Sequence, residues 1–142
     1  MEMVLGSFFI TNKEQVSMKQ IEQAEVVCVY FISNWCPLCH VFTSILEEFY
    51  QLVNASQKRL EIIQVNSDKN STSFEEQLHT VPWAGIPFGD PRNESLKTQF
   101  GVSGVPVLMI LNKDGSIAHS SALDDVQTLG FSCFEKWLVE FN

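Results

Sequence analysis

Two cysteines, Cys36 and Cys39, stand between an apolar, β-branched run (Val26 to Ile32) and a run of helical periodicity (Leu38 to Val53). This juxtaposition constrains the chain more than any other feature. It predicts a strand that ends, and a helix that begins, at a C-x-x-C pair. The N–H groups of a helix's first turn have no partners within the helix, and the helix dipole adds partial positive charge there. A thiolate at that end is stabilised, as in known reactive cysteines. Pro37 suits the first turn, where its missing N–H costs nothing. Cys39, one turn along, can reach back to Cys36 and close a small disulfide ring. The pair reads as a redox dithiol in which Cys36 attacks and Cys39 resolves. Two plainer readings compete: half of a zinc site, or ordinary core thiols. Zinc requires further ligands at matching spacing, yet Cys28 and Cys133 stand alone and His40, His79 and His119 form no H-x₃-H pattern. The strand–dithiol–helix context favours redox chemistry over both.

The rest of the chain reads as one domain over residues 1–142. It has 45% hydrophobic residues and 11 phenylalanines, enough for a compact core without staples. Four cysteines in this length do not make a disulfide scaffold. The stretch from Met1 to Ile10 lacks a basic start and is interrupted at Gly6 and Ser7, so it does not read as a secretory signal. No apolar run approaches the ~20 residues needed to cross a bilayer. The expected location is the cytoplasm, with the nucleus open as well, and no membrane partner. The net charge of −8 and the absence of a basic stripe argue against nucleic acid.

In chain order, Val4 to Ile10 is expected to be a first strand. Thr11 or Asn12 is expected to cap a helix over Glu14 to Gln23, anchored by Val16 and Ile21. Val26 to Ile32 lacks polar alternation, as in a central strand covered on both faces, and Cys28 within it reads as an inert core residue. In the following helix Leu38, Val41, Phe42, Ile45, Leu46, Phe49, Leu52 and Val53 form one side, expected to pack into the core. Leu60 to Val65 is a further strand, ended by Asn66, Ser67 and Asp68. Ser73 to Glu76 matches a capping box and is expected to start a short helix. Asp90-Pro91 supplies a cap and first-turn proline for a helix reaching about Phe100, with Gly101 ending it. Val105 to Leu111 is a strand, Asn112 to Gly115 a turn, and Ser116 to Ser120 its antiparallel partner. Phe131 to Phe141 closes the chain as an amphipathic helix. The order β-α-β-α-β-α-α-β-β-α implies an α/β protein, a three-layer α/β/α sandwich on a mixed sheet.

The segment Tyr30-Phe31-Ile32-Ser33-Asn34-Trp35-Cys36-Pro37-Leu38-Cys39 resembles the active-site segment of thioredoxin-fold proteins. It is similar in particular to the tryparedoxin and nucleoredoxin branch, whose motif is W-C-P-P-C. Pro82-Trp83-Ala84-Gly85-Ile86-Pro87-Phe88 resembles that branch's P-W-x-x-x-P-F loop, and Phe100 to Pro106 resembles the approach to the family's cis-proline. Gly130 to Trp137 is most similar to nucleoredoxin-like proteins. The resemblance implies a thioredoxin-like fold and reduction of protein disulfides, with no cofactor. A reductase or a low-molecular-weight thiol would restore the dithiol. It also implies a cis Val105–Pro106 bond, with the Val105 backbone beside the dithiol to pair with an extended substrate, as in strand addition. Trp35, Pro37 and Trp83 join Val105 and Pro106 as substrate-binding candidates, although Trp83 reads equally as a core wedge. A nucleoredoxin-like alternative is a redox-dependent binding regulator of signalling partners with little turnover.

One departure from thioredoxins proper, which tryparedoxins share, and two from the branch stand out. Tyr30 occupies the position where thioredoxins carry a buried Asp, and a tyrosine is a poor base at neutral pH. That leaves the base for Cys39 open between water and a loop carboxylate. Leu38 replaces a proline. His40 replaces an arginine, so any help it gives the Cys36 thiolate depends on pH. Cys133 lies at a helix start and reads more as a structural residue than as a reactive thiol.

Overall fold

The structure, a computed structural model, describes residues 1–141. Its centre is strand β3 (Val26–Ile32), in which all seven residues are buried. Successive side chains in a strand point to opposite faces. Here Cys28, Tyr30 and Ile32 enter one core cluster and Val27, Val29 and Phe31 enter the other. This is why the run is apolar throughout rather than alternating.

Around it form α1 (Glu2–Leu5), β1 (Phe8–Ile10), β2 (Gln15–Ser17) and α2 (Met18–Ile21) on the N-terminal side. After β3 come α3 (Pro37–Val53), β4 (Leu60–Asn66), α4 (Ser71–Thr80), β5 (Ala84–Gly85) and α5 (Arg92–Gln99). The chain finishes with β6 (Val107–Leu111), β7 (Ile117–His119), α6 (Ala122–Leu129), a 3₁₀ turn (Gly130–Ser132) and α7 (Cys133–Phe141). The sheet runs β2-β1-β5-β4-β3-β6-β7. Strand β3 is parallel to β4 and antiparallel to β6, with Cys28 opposite Ile62 and Ile110. Residues of α3, α4, α6 and α7 pack on one face, and residues of α1, α2 and α5 on the other. The expected three-layer sandwich on a mixed sheet is the fold.

Several expectations need correction. The strand expected over Val4 to Ile10 is instead α1 followed by a short β1. Gly6, at φ 96°, turns the chain between them, and Arg92 fixes that turn by donating from Nη1 to the carbonyls of Leu5 (3.0 Å) and Phe8 (2.9 Å). The helix expected over Glu14 to Gln23 is β2 plus one turn of α2. Thr11 Oγ1 accepts from the N–H groups of Lys13 and Glu14 in a local turn. Ser17, not Thr11 or Asn12, caps α2 in a reciprocal pair with Gln20. The helix expected to start at Ser73 starts at Ser71, because Asn70 Oδ1 accepts from both Thr72 and Ser73. The expected helix–helix passage before Arg92 contains β5, and the final helix is preceded by α6, which the sequence reading lacks. At α5 the start is shifted by one residue: Pro91, not Asp90, is the capping residue and α5 begins at Arg92, while Asp90 Oδ1 accepts from the Arg92 N–H at 2.9 Å; Gly101 takes φ 67° after its end, as expected.

Helix α3 carries a further correction. Phe42, Leu46, Phe49 and Val53 are buried as expected, but Leu38, Val41, Ile45 and Leu52 are exposed. The periodicity is real, yet only half of the apolar stripe meets the sheet.

Candidate active site

Strand β3 delivers the chain to a tight turn, Ser33-Asn34-Trp35, and α3 begins directly after Cys36. Cys36 is the residue that caps α3: its Sγ accepts from the Cys39 N–H at 3.2 Å. The Cys36 carbonyl accepts from the N–H groups of Cys39 (3.1 Å) and His40 (3.3 Å). One otherwise unpartnered donor of the helix start, the Cys39 N–H, is thus aimed at this sulfur. Both thiols are free and buried, Cys36 at 6% and Cys39 at 2% exposure. Cys39 is hard to ionise. Burial first, then the hydrogen bond with Cys36, push its thiol up to about 12, and the nearby charge of Asp68 acts in the same direction.

The Val105–Pro106 bond is cis, as the family resemblance implies. Val105 joins the dithiol, its carbonyl oxygen lying 3.9 Å from the Cys36 Sγ. Trp35 is 74% exposed and Leu38 68%, so flat apolar surface borders the dithiol. Pro37 is exposed beside them and Pro106 is partly buried.

The other candidates divide. Tyr30 is fully buried beneath α3, its hydroxyl 2.8 Å from Thr43 Oγ1 and 3.5 Å from the Cys39 carbonyl. Burial pushes its phenol well above the ordinary tyrosine range, so it supports the helix and stays neutral. His40 is exposed, and its Nε2–H donates to the Asn34 carbonyl at 2.6 Å, tying helix to turn. Trp83 as a substrate-surface residue is a correction. It is 1% exposed, its ring meets Tyr30 and Tyr50 edge-on, and its indole N–H donates to Gln64 Oε1 at 3.0 Å.

That indole is one end of a polar chain the sequence reading missed. Gln64 Nε2 donates to Asn66 Oδ1 at 2.9 Å, and Asn66 Nδ2 donates to Asp68 Oδ2 at 2.7 Å. Asp68 Oδ1 in turn accepts from the Ser33 hydroxyl at 3.2 Å and from the Asn34 N–H. A carboxylate thus clamps the turn that presents the dithiol. The available signal was Gln64, a polar residue between the apolar Ile63 and Val65 of β4. Among the described residues no group of three or more His, Cys, Asp or Glu is placed to hold a metal ion, and no helix is long and apolar enough to cross a membrane.

Residues 23–117, two-thirds of the chain, match the family described as thioredoxin-like. The chain belongs to that family. A probable nucleoredoxin 1 from Arabidopsis thaliana is 36% identical over 110 residues, covering 78% of this chain and 19% of that protein. Among solved structures, tryparedoxin I from Leishmania major superimposes with a TM-score of 0.84 at 26% identity, covering 96% of this chain and 94% of the other. A tryparedoxin II complexed with glutathionylspermidine gives 0.76 at 27% identity, over 85% of each chain. The chain spans between 19% and 35% of the length of the first curated relatives it matches. It is a thioredoxin-fold protein similar to nucleoredoxins and tryparedoxins, and this likeness supports a redox function.

Proposed function

We propose that the chain is a thiol–disulfide oxidoreductase that reduces protein disulfides through Cys36 and Cys39. The observation that carries the reading is the Cys36 sulfur itself, capping α3 and facing the Val105 carbonyl. In the proposed reaction the Cys36 thiolate attacks a substrate disulfide and forms a mixed disulfide, expelling one substrate thiolate. Cys39 then attacks the Cys36 sulfur, releases the second substrate thiol and leaves Cys36–Cys39 oxidised. The asymmetry between the sulfurs supports these roles: one accepts a backbone N–H at the helix start, while the other is held protonated by burial until it is needed. The Val105 backbone is suited to pair with an extended substrate chain, and Trp35 and Pro37 offer it apolar surface.

The electron donor we propose is a reductase or a low-molecular-weight thiol; the glutathionylspermidine complex of a tryparedoxin II favours the latter. The proposed setting is the reducing interior of the cytoplasm or nucleus. A second reading, a redox-dependent binding regulator, draws on the exposed apolar side of α3, where Leu38, Val41, Ile45 and Leu52 offer a surface beyond that needed for chemistry. Insulin reduction tests the first reading. Cys36→Ser is expected to abolish it, and full activity in that variant removes the assignment. Cys39→Ser is expected to trap substrates as mixed disulfides through Cys36.

A further inference from the structure

We propose that Glu47 accepts the Cys39 proton, through water in a cleft that both residues line, during the resolving half of the exchange. This rests on the redox reading of the dithiol. Cys39, Thr43 and Glu47 follow one another at four-residue spacing on α3, so they share one face of the helix, about one turn apart. That face opens on a cleft of about 280 Å³ whose walls include Ser33, Cys39, Thr43, Glu47, Gln77 and Thr80. A water occupies about 30 Å³, so the space holds several, and the four hydroxyls and two amides in its walls give them partners.

The groups facing Cys39 leave Glu47 as the available base. From β3 comes Tyr30, which is neutral and bonded to Thr43. From the turn after β4 comes Asp68, whose two oxygens already accept from Ser33, Asn34 and Asn66. From α3 come Cys36, the sulfur under attack, and His40, whose Nε2 is engaged by Asn34. Helix α4 contributes Gln77 and Thr80, neither of which is charged. Glu47 is half-buried and has no hydrogen-bond partner among the described residues. Burial raises its carboxyl above the ordinary glutamate range, which brings a proton acceptor nearer to neutral pH, where general bases work best.

In the mixed disulfide, the Cys39 S–H gives its proton through water to the Glu47 carboxylate. The thiolate so formed attacks the Cys36 Sγ, a Cys36–Cys39 bond forms, and the bond from Cys36 to the substrate sulfur breaks. The electron pair leaves with the substrate sulfur, which takes up a proton. The substrate gains two electrons and the protein dithiol loses two.

Aromatic-disulfide titration separates the two halves. One equivalent of 5,5′-dithiobis(2-nitrobenzoate) added to the reduced full chain releases one thionitrobenzoate when Cys36 attacks and a second when Cys39 resolves, followed by stopped-flow absorbance. Glu47→Gln is expected to leave the first release within about twofold and to slow the second roughly 10- to 100-fold at neutral pH. In the wild type the second rate rises with the ionisation of one carboxyl and then levels; in Glu47→Gln that inflection disappears, and Glu47→Asp restores part of it. A second release with unchanged rate and pH profile in Glu47→Gln overturns the proposal. So does an inflection that vanishes in Asp68→Asn while persisting in Glu47→Gln. A wild type that releases only one equivalent defeats the redox reading itself and this proposal with it.

Discussion

Two pairs of cysteines share one core cluster. Cys28, Cys36, Cys39 and Cys133 are all free, all buried and all on the same side of the sheet. Being buried therefore does not tell them apart; backbone position and the small exposure that Cys36 retains do. Cys36 lies where β3 hands over to α3, with the Cys39 N–H aimed at its sulfur. Cys28 lies mid-strand, where its own N–H and carbonyl belong to the sheet. Its thiol is pushed far up by burial, and the nearby Cys133 thiol adds to the effect. Cys133 opens α7, superficially the same setting as Cys36. It is nonetheless fully buried, and burial together with the Asp125 charge pushes its thiol up to about 12. A helix start is therefore not enough by itself: Cys36 keeps 6% exposure and faces the Val105 carbonyl, whereas Cys133 is sealed at 0%.

The largest expected difference is in reactivity. Under native conditions iodoacetamide is expected to modify Cys36 first, with Cys28 and Cys133 protected until the domain opens. Labelling that requires opening is slower by at least about 1,000-fold, and peptide mass spectrometry over time reads it directly. Comparable rates at Cys36 and Cys133 would break the contrast.

A smaller difference is expected in stability. Cys36→Ser keeps an oxygen to accept from the Cys39 N–H, so it is expected to cost under about 0.5 kcal/mol while removing activity. Cys28→Ala and Cys133→Ala remove a packed sulfur from a filled core and are expected to cost about 1–2 kcal/mol each while leaving insulin reduction intact. Urea unfolding beside the activity assay checks both. A Cys28 variant without activity but with full stability would mean that the core pair takes part in the exchange.

The same contrast explains what the sequence disclosed and what it withheld. Strand β3, helix α3 and the dithiol between them were legible because each is local: an unbroken apolar run, a helical period, a proline at the first turn. The N-terminal elements were not, because what bends the chain at Gly6 is Arg92, 86 positions away. The short α6 buries only Ala122 and Val126, and its apolar spacing (Leu123, Val126, Leu129) spans just two turns. At the site, Cys36 and Cys39 were identified by spacing, whereas Asp68 and Asn66 enter through contacts across the sheet that spacing does not encode. Periodicity placed Leu38, Val41, Ile45 and Leu52 on an apolar stripe but did not tell whether anything covers them. Trp83 matched a family loop, and only its bond to Gln64 fixed it as core.

The smallest expected effect concerns pH and stability. A thiol whose folded-state value is raised holds its proton after the unfolded chain has lost it. Where the unfolded state binds fewer protons than the folded one, stability falls as pH rises. The stabilisation from keeping Cys133 neutral is therefore fully present below about pH 9, the unfolded value, and is lost as pH climbs towards about 12. From about pH 8.5 to about pH 9.5 a single such thiol accounts for a loss of under about 1 kcal/mol. Cys39, also raised to about 12, shares this slope, so the wild-type curve alone does not assign it. The difference between wild type and Cys133→Ala does. The variant starts less stable below pH 9 but is expected to lose less on the way up, so the two unfolding curves converge. Parallel curves would mean that Cys133 ionises as readily in the folded as in the unfolded chain, and its distinction from Cys36 would then rest on access to solvent rather than on charge.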